Sequence, residues 1–351
     1  MTRLIIVIAT LLSLLISCKN KDMSDAQIKT DNPLLGVFDT PYGVPPFDKI
    51  KNDHYKPAFE AAMEEHRKEI DVIADNTAAP DFENTIETMD KAGSLLIRTS
   101  NIFYNLSGAH TNDTIKAIEE EMAPVLAKHY DYISLHEKLF SRVKSIYDNK
   151  TSLGLSEEEE KLLSDTYKSF VRNGALLNKK DKETISKINE ELSTLTVKFG
   201  QNVMNEVNSF ELVVDKKEDL KGLPDDVIAA AAETAKTSGK EGKWVFTLQN
   251  PSVMPFLQYA ENRELRFKMW DAFRKKGQNG NANDNREAIK KLVNLRMQRA
   301  RLLGYESHAH YVLEEKMAKN PDTANNLLNQ LWNPVMSVSY THLTLPTSDL
   351  V

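Results

Sequence analysis

Residues 179–208 set the strongest limit on the fold of this chain. Within them Ile185, Ile188, Leu192, Leu195, Phe199 and Val203 recur at alternating three- and four-residue steps, with polar side chains between. A backbone that turns every 3.6 residues gathers such positions into one stripe, whereas a strand would divide them between two faces. The spacing predicts a long helix lying along a neighbouring helix. A free-standing coiled coil fits less well, because the pattern lasts too few heptads.

The same period returns along most of the sequence. Over 53–76 the large apolar side chains fall at Tyr55, Phe59, Met63, Ile70 and Ile73, which share one face. A helix opening near Asp81 would turn Phe82, Ile86, Met89 and Leu96 inward. Ser156-Glu157-Glu158-Glu159 has the form of a capping box and opens a helix through Leu163, Tyr167 and Phe170. Further helices are expected at 262–276, 285–303, 307–319 and 322–336. Two stretches break the period, 210–214 (FELVV) and 244–248 (WVFTL), both rich in β-branched and aromatic residues. Between them GLPDDVIAAAAETAKTSG reads as a helix with proline near its start and glycine after its end. The expected fold is mostly α, with one small two-stranded β-ribbon.

Composition narrows the function. With 27% charged and 41% hydrophobic residues the chain reads as an ordinary soluble globular protein. A net charge of -6 speaks against nucleic acid as a partner, which would call for a clustered basic excess. Cys18 is the only cysteine, so neither an intrachain disulfide nor a cysteine zinc cluster can form. Its surroundings are informative. Arg3 precedes an apolar run over 4–16, long enough for a signal-peptide core and short for a membrane span. The run ends in Leu15-Ile16-Ser17-Cys18, which resembles the lipobox of bacterial lipoproteins. On that reading residues 1–17 are a signal peptide, Cys18 carries the lipid, and 18–32 form a polar tether. An uncleaved anchor with an incidental cysteine is the plainer alternative. The lipid places the chain in a bacterial cell envelope, on a periplasmic or outer-membrane face, with the membrane as a partner.

Motifs for chemistry are sparse. There is no glycine-rich phosphate loop and no Gly-x-Ser-x-Gly elbow. HEKLF (His136 to Phe140) begins like a His-Glu-x-x-His zinc helix, but Phe140 stands where the second ligand must be. In ESHAHYVLEEKMAKNP, His308 and His310 are two residues apart, about 200° around a helix, and so face nearly opposite sides. Glu306 and His310 have i,i+4 spacing, which reads as a solvated surface contact. No catalytic or metal-ligating residue is assigned, and His342, in the tail, is given no role.

Several stretches taken together resemble one family, the thimet-oligopeptidase and peptidyl-dipeptidase family of zinc metallopeptidases. They are PYGVPPFDKIKNDHYKPAFEAAM, FENTIETMDKAG, SFVRNGALL, KGLPDDVIAAA, LQNPSVMPFLQYAENRELRFKMWDAF and LVNLRMQRARLLGYESHAHYVLEEKMAKNP, in the family's order between 32 and 336. No single motif decides the matter; their collinearity carries the resemblance. It implies a neurolysin-like helical wall of a deep channel that admits short peptides, the substrate partner. It also implies zinc in the complete enzyme, held by two histidines and a glutamate that would polarise a water and the scissile carbonyl. Those ligands do not match His308 or His310 and would lie downstream. Residues 33–336 are thus expected to be the N-terminal region of such an enzyme, inactive and free of zinc alone, with the C-terminal half as its missing partner. From about Val338 the tail loses helical spacing and resembles translated adapter sequence, so 337–351 are expected to be non-native. A non-catalytic peptide-binding envelope lipoprotein, or a pseudoenzyme, is the rival reading. A helical-repeat scaffold is disfavoured because no fixed period is present.

Overall fold

The computed structural model of the chain describes residues 31–344. The apolar run at 4–16, Cys18 and residues 345–351 lie outside them. Two compact units divide between Ala58 and Phe59.

The described part of the first unit, 31–58, is proline-punctuated and carries short 3-10 turns at Pro33–Leu35, Pro41–Gly43 and Asn52–His54, then the start of the helix Tyr55–Ala74. Asn32 ties its ends together. Its Oδ1 accepts from the Leu34 amide at 3.0 Å, and its Nδ2 donates to the His54 carbonyl at 2.8 Å.

Helix dominates the second unit, as the period predicts. We number the longer elements α1 (Tyr55–Ala74), α2 (Ser94–Ala109), α3 (Asp113–Ser134), α4 (Glu137–Asp148), α5 (Glu157–Arg172) and α6 (Lys179–Ser209). After β1 (Leu212–Val214) come α7 (Asp225–Thr237), β2 (Trp244–Phe246), α8 (Asn250–Tyr259), α9 (Arg263–Arg274), α10 (Arg286–Leu302), α11 (His308–Leu313) and α12 (Pro321–Thr344). The predicted long helix is α6, opened by the Asn178 side chain on the Asp181 amide and packed lengthwise on α3. Ile188 and Leu192 meet Leu292 of α10 in one cluster. The predicted capping box is present: Ser156 N donates to Glu159 Oε2 at 2.8 Å, and Glu159 N to Ser156 Oγ at 3.3 Å.

A second cluster joins Ile70 and Ile73 of α1 to Leu139, Phe140, Val143 and Ile146 of α4 and to Leu163 and Phe170 of α5. A third lies under the ribbon. The two strands pair antiparallel, with Leu212 opposite Phe246 and Val214 opposite Trp244. The rings of Phe246 and Phe256 lie 4.6 Å apart beneath them, with Met269 alongside. Both strands are shorter than expected. Gly222, at φ +88°, closes this unit: a Cβ there would stand 2.3 Å from the Tyr259 carbonyl, so only glycine fits.

Three expectations need correction. The helix expected from Asp81 is not continuous. A π-helical turn at Phe82–Glu87 runs into one α-turn, Thr88–Lys91, and the chain breaks at Gly93, φ +74°. There the Gly93 amide donates to Glu69 Oε2 at 2.7 Å, and the His66 ring occupies the space a side chain would need. The helix expected over 307–319 stops after Leu313. Arg172 Nη2 donates to the Tyr311 carbonyl at 2.7 Å, engaging the oxygen that would have accepted the next helical bond. Lys319 then adopts φ +63°. Conversely, α12 does not end near Met336 but continues to Thr344, through Pro334. The helix α3 was not anticipated, although Ile115, Ile118, Met122 and Leu126 keep helical spacing.

Candidate functional site

The histidines that first suggest a metal do not converge. His308 and His310 both lie on α11. His310 Nδ1 is 2.9 Å from Ser307 Oγ, and its Nε2 is 3.5 Å from Glu306 Oε2. The His308 ring stacks beside Tyr311, and burial, then Arg296 and Arg299, hold its pKa below the usual histidine value. Two guanidiniums beside an imidazole make a poor place for a dication. His136 is the N-cap of α4, accepting from the Leu139 amide at 3.2 Å, while Phe140 is buried in the core. His136 is thus a helix cap and Phe140 a core residue. A third pair went unread in the sequence: His129, fully buried, sets Nε2 3.0 Å from His66 Nδ1. Burial, then the nearby His66 and Arg67, push His129 down to about 4. Among the described residues no group of three histidine, cysteine or carboxylate side chains is placed to hold a metal. The described residues do not fit a zinc centre.

What the fold does build is a cavity of about 790 Å³ bordered by α2, α3, α5, α6 and α10. Asp131 of α3 borders it, only 8% exposed. Its Oδ1 accepts from Asn189 Nδ2 at 2.8 Å, and Asn189 Oδ1 accepts from Arg299 Nη1 at 3.3 Å, a relay from acid to guanidinium across one amide. Burial pushes the Asp131 carboxyl above the ordinary carboxylate value, against the opposing pull of Ser186, Asn189 and Arg299. Arg299 is held in place by α11: its guanidinium lies 5.2 Å from the Tyr311 ring, and Arg172 covers that ring at 4.4 Å. The histidine-rich stretch thus ends in the aromatic clamp for two arginines. Three residues that border the cavity each hold one polar atom that is shut off from solvent and lacks a hydrogen-bond partner, Ser100 Oγ, Asp131 Oδ2 and Arg299 Nε. Sequence reading missed these residues. The available signal was a carboxylate at a buried position of α3 whose neighbours inward are mostly apolar.

Comparison with known proteins places the fold. Residues 256–344 match the family model described as Peptidase family M3. Over 302 residues the chain is 37% identical to the dipeptidyl carboxypeptidase of Escherichia coli strain K12, covering 86% of this chain and 44% of that protein. It is 28% identical over 324 residues to a probable cytosolic oligopeptidase A of Arabidopsis thaliana, covering 90% of this chain and 45% of that one. Oligopeptidase A of Escherichia coli strain K12 is 27% identical over 304 residues, covering 86% and 44%. The chain belongs to this peptidase family, as its motifs implied. It spans less than half the length of these relatives.

Proposed function

We propose that this chain forms the helical wall of a zinc-dependent peptidase that hydrolyses short peptides, of the peptidyl-dipeptidase or oligopeptidase type. The observation that carries the reading is the 37% identity to a dipeptidyl carboxypeptidase, sustained over 86% of the chain. In this reading the zinc belongs to residues of the whole protein outside those described, because the described ones do not fit it. The N-terminal position of the chain within that protein rests on the order of its motifs.

Two exposed apolar stripes support a large partner surface. Ile289, Val293 and Met297 follow one another along α10, with Val293 62% exposed. On α12, Leu327, Leu328, Leu331, Trp332 and Val335 do the same, with Trp332 62% exposed. Stripes of this kind on helices of a globular protein mark a surface that something covers. We assign them to the remaining half of the same polypeptide.

The reading is tested on the product of the source gene, with its reading frame followed to the relatives' length. That product is expected to hydrolyse short unblocked peptides, to lose the activity to a chelator and to regain it with zinc. The 351-residue chain alone should show neither hydrolysis nor stoichiometric zinc. A full-length product without chelator-sensitive hydrolysis would overturn the peptidase reading and favour a non-catalytic peptide-binding lipoprotein.

Among the described residues no helix is long and apolar enough to cross a membrane. We propose anchoring through lipid on Cys18, in a bacterial envelope. Palmitate fed to cells expressing the protein should label it, and Cys18→Ser should abolish the label. Equal labelling of both forms would exclude this anchor.

A further inference from the structure

Helix α9 has two faces of opposite use. Its inner side, with Leu265, Met269 and Ala272, packs into the cluster under the ribbon. On the outer side, positions 263, 267, 270 and 274 fall within about 60° of one another around the helix axis. They hold Arg263, Phe267, Trp270 and Arg274, all exposed. Phe267 is 60% and Trp270 44% exposed, with ring centroids 5.8 Å apart. The Arg274 guanidinium lies 4.9 Å from the Trp270 ring, and exposed Lys268 stands next to Phe267 in the chain. Over 263–276 six basic side chains stand against two acids, Glu264 and Asp271, in a chain whose net charge is -6. Asp271 is already engaged by Lys275 at 2.7 Å and Arg274 at 3.5 Å.

This face differs in kind from the two apolar stripes assigned above to the remaining half. Helix α12 contains no lysine or arginine, so its stripe suits an apolar protein surface. Helix α10 is basic, but its stripe is aliphatic, and its Arg296 and Arg299 border the cavity. On α9 aromatic rings and guanidiniums share one side. Such a pairing matches the boundary of a lipid bilayer. Tryptophan and phenylalanine rings settle where hydrocarbon meets headgroups, while basic side chains beside them reach the phosphates above. Zwitterionic headgroups offer no net charge to the basic side chains; anionic ones do. We propose that the outer face of α9 docks on an anionic phospholipid surface, with Phe267 and Trp270 at the headgroup level and Arg263, Lys268 and Arg274 on lipid phosphates. The contact takes no part in zinc chemistry. Nor does it need lipid on Cys18, which would only raise the concentration of this face near a membrane.

The test reads Trp270 directly. In the 351-residue chain carrying Cys18→Ser, Trp244→Phe and Trp332→Phe, Trp270 is the one remaining tryptophan. Brominated phosphatidylcholine quenches an indole that enters the bilayer. Vesicles of that lipid with roughly one third phosphatidylglycerol should quench Trp270 severalfold, and vesicles without phosphatidylglycerol much less. Raising the salt to about 0.5 M should reverse the effect. Arg263→Glu with Arg274→Glu, both at exposed positions, should remove most of the quenching, and Phe267→Ser should weaken it, with circular dichroism unchanged. The apolar run at 4–16 is common to every form and so cannot produce a difference among them. In the full-length product, sedimentation with the same vesicles should fall with the same pair of arginine changes. Absence of quenching, equal quenching with and without phosphatidylglycerol, or full quenching in the arginine variant would overturn the proposal. So would an effect seen in the 351-residue chain and lost in the full-length product, which would assign the face to the remaining half of the polypeptide. None of these outcomes bears on chelator-sensitive hydrolysis, so the two readings fail separately.

Discussion

Replacing Arg142 with methionine should lower the unfolding free energy by about 2–4 kcal/mol, given a cost of about 1–3 kcal/mol for each buried acceptor left without its donor. The guanidinium sits on α4 and is only 7% exposed. None of its hydrogen-bond partners is a carboxylate. Nε donates to Thr85 Oγ1 at 3.2 Å, Nη1 to the carbonyls of Asn76 and Ala78 at 2.7 and 3.1 Å, and Nη2 to Asn84 Oδ1 at 2.7 Å. The charge is therefore solvated by neutral dipoles of the segment linking α1 to the π-helical turn. Asn84 in turn donates to Asp81 Oδ2 at 2.7 Å and to the Ala79 carbonyl at 2.9 Å, which fixes the same segment. Methionine keeps the packing of the stem against the core but takes the donor from two carbonyls and from the fully buried Thr85 Oγ1, whose hydroxyl keeps only Asn84 Oδ1 at 2.7 Å. Lysine should recover little, because one ammonium cannot reach acceptors spread across the planar fork. Urea unfolding followed by circular dichroism reads the effect as a fall in the midpoint at unchanged slope. A loss below about 1 kcal/mol would show that water replaces the arginine without cost.

Arg142 also shows where sequence reading stops. The elements with a repeating signal were legible: α6 from its stripe, α5 from the Ser156 capping box, the ribbon from its two β-branched runs. Each signal is local, and each depends on neighbours no more than four residues away. The misread segments were decided by distant groups. The break at Gly93 depends on Glu69 and His66, more than twenty residues earlier. The early stop of α11 depends on Arg172, 139 residues before the carbonyl it engages. The cavity belongs to the same class. Ser100, Asp131, Asn189 and Arg299 come from four helices, and each alone reads as an ordinary polar residue of its helix. HEKLF and the α11 histidines, which carry a local pattern, could be tested by spacing alone. The family was legible because its motifs are many and collinear, even though none reports a catalytic group.

A second large effect is expected at Glu206, near the end of α6. Its carboxylate, 7% exposed, gathers the loop between α9 and α10. Oε1 accepts from Asn281 Nδ2 at 2.5 Å and Asn283 Nδ2 at 3.5 Å, and Oε2 accepts from Asn279 Nδ2. Four residues earlier, Asn202 donates to Asn285 Oδ1 at 2.8 Å, so the loop is pinned to α6 at two points. Burial alone would push the Glu206 carboxyl up. The amides of Asn281, Asn279 and Asn283 and the Gly277 N–H outweigh it and leave the pKa below the usual glutamate value. The folded protein therefore holds the ionised form more tightly than the unfolded chain does. The resulting stability is present above the unfolded value and is lost as pH falls through the folded one. Glu206→Gln turns one acceptor into a donor facing amide donors, which should cost about 2–4 kcal/mol at pH 7 when more than one buried group is left unpaired. Below the folded pKa the native carboxyl is itself protonated and resembles the amide, so the gap between the two proteins should narrow. Urea unfolding of both at pH 7 and at successively lower pH would show this convergence. A gap of the same size at every pH would mean that Glu206 acts by packing, and that its charge does not hold the loop.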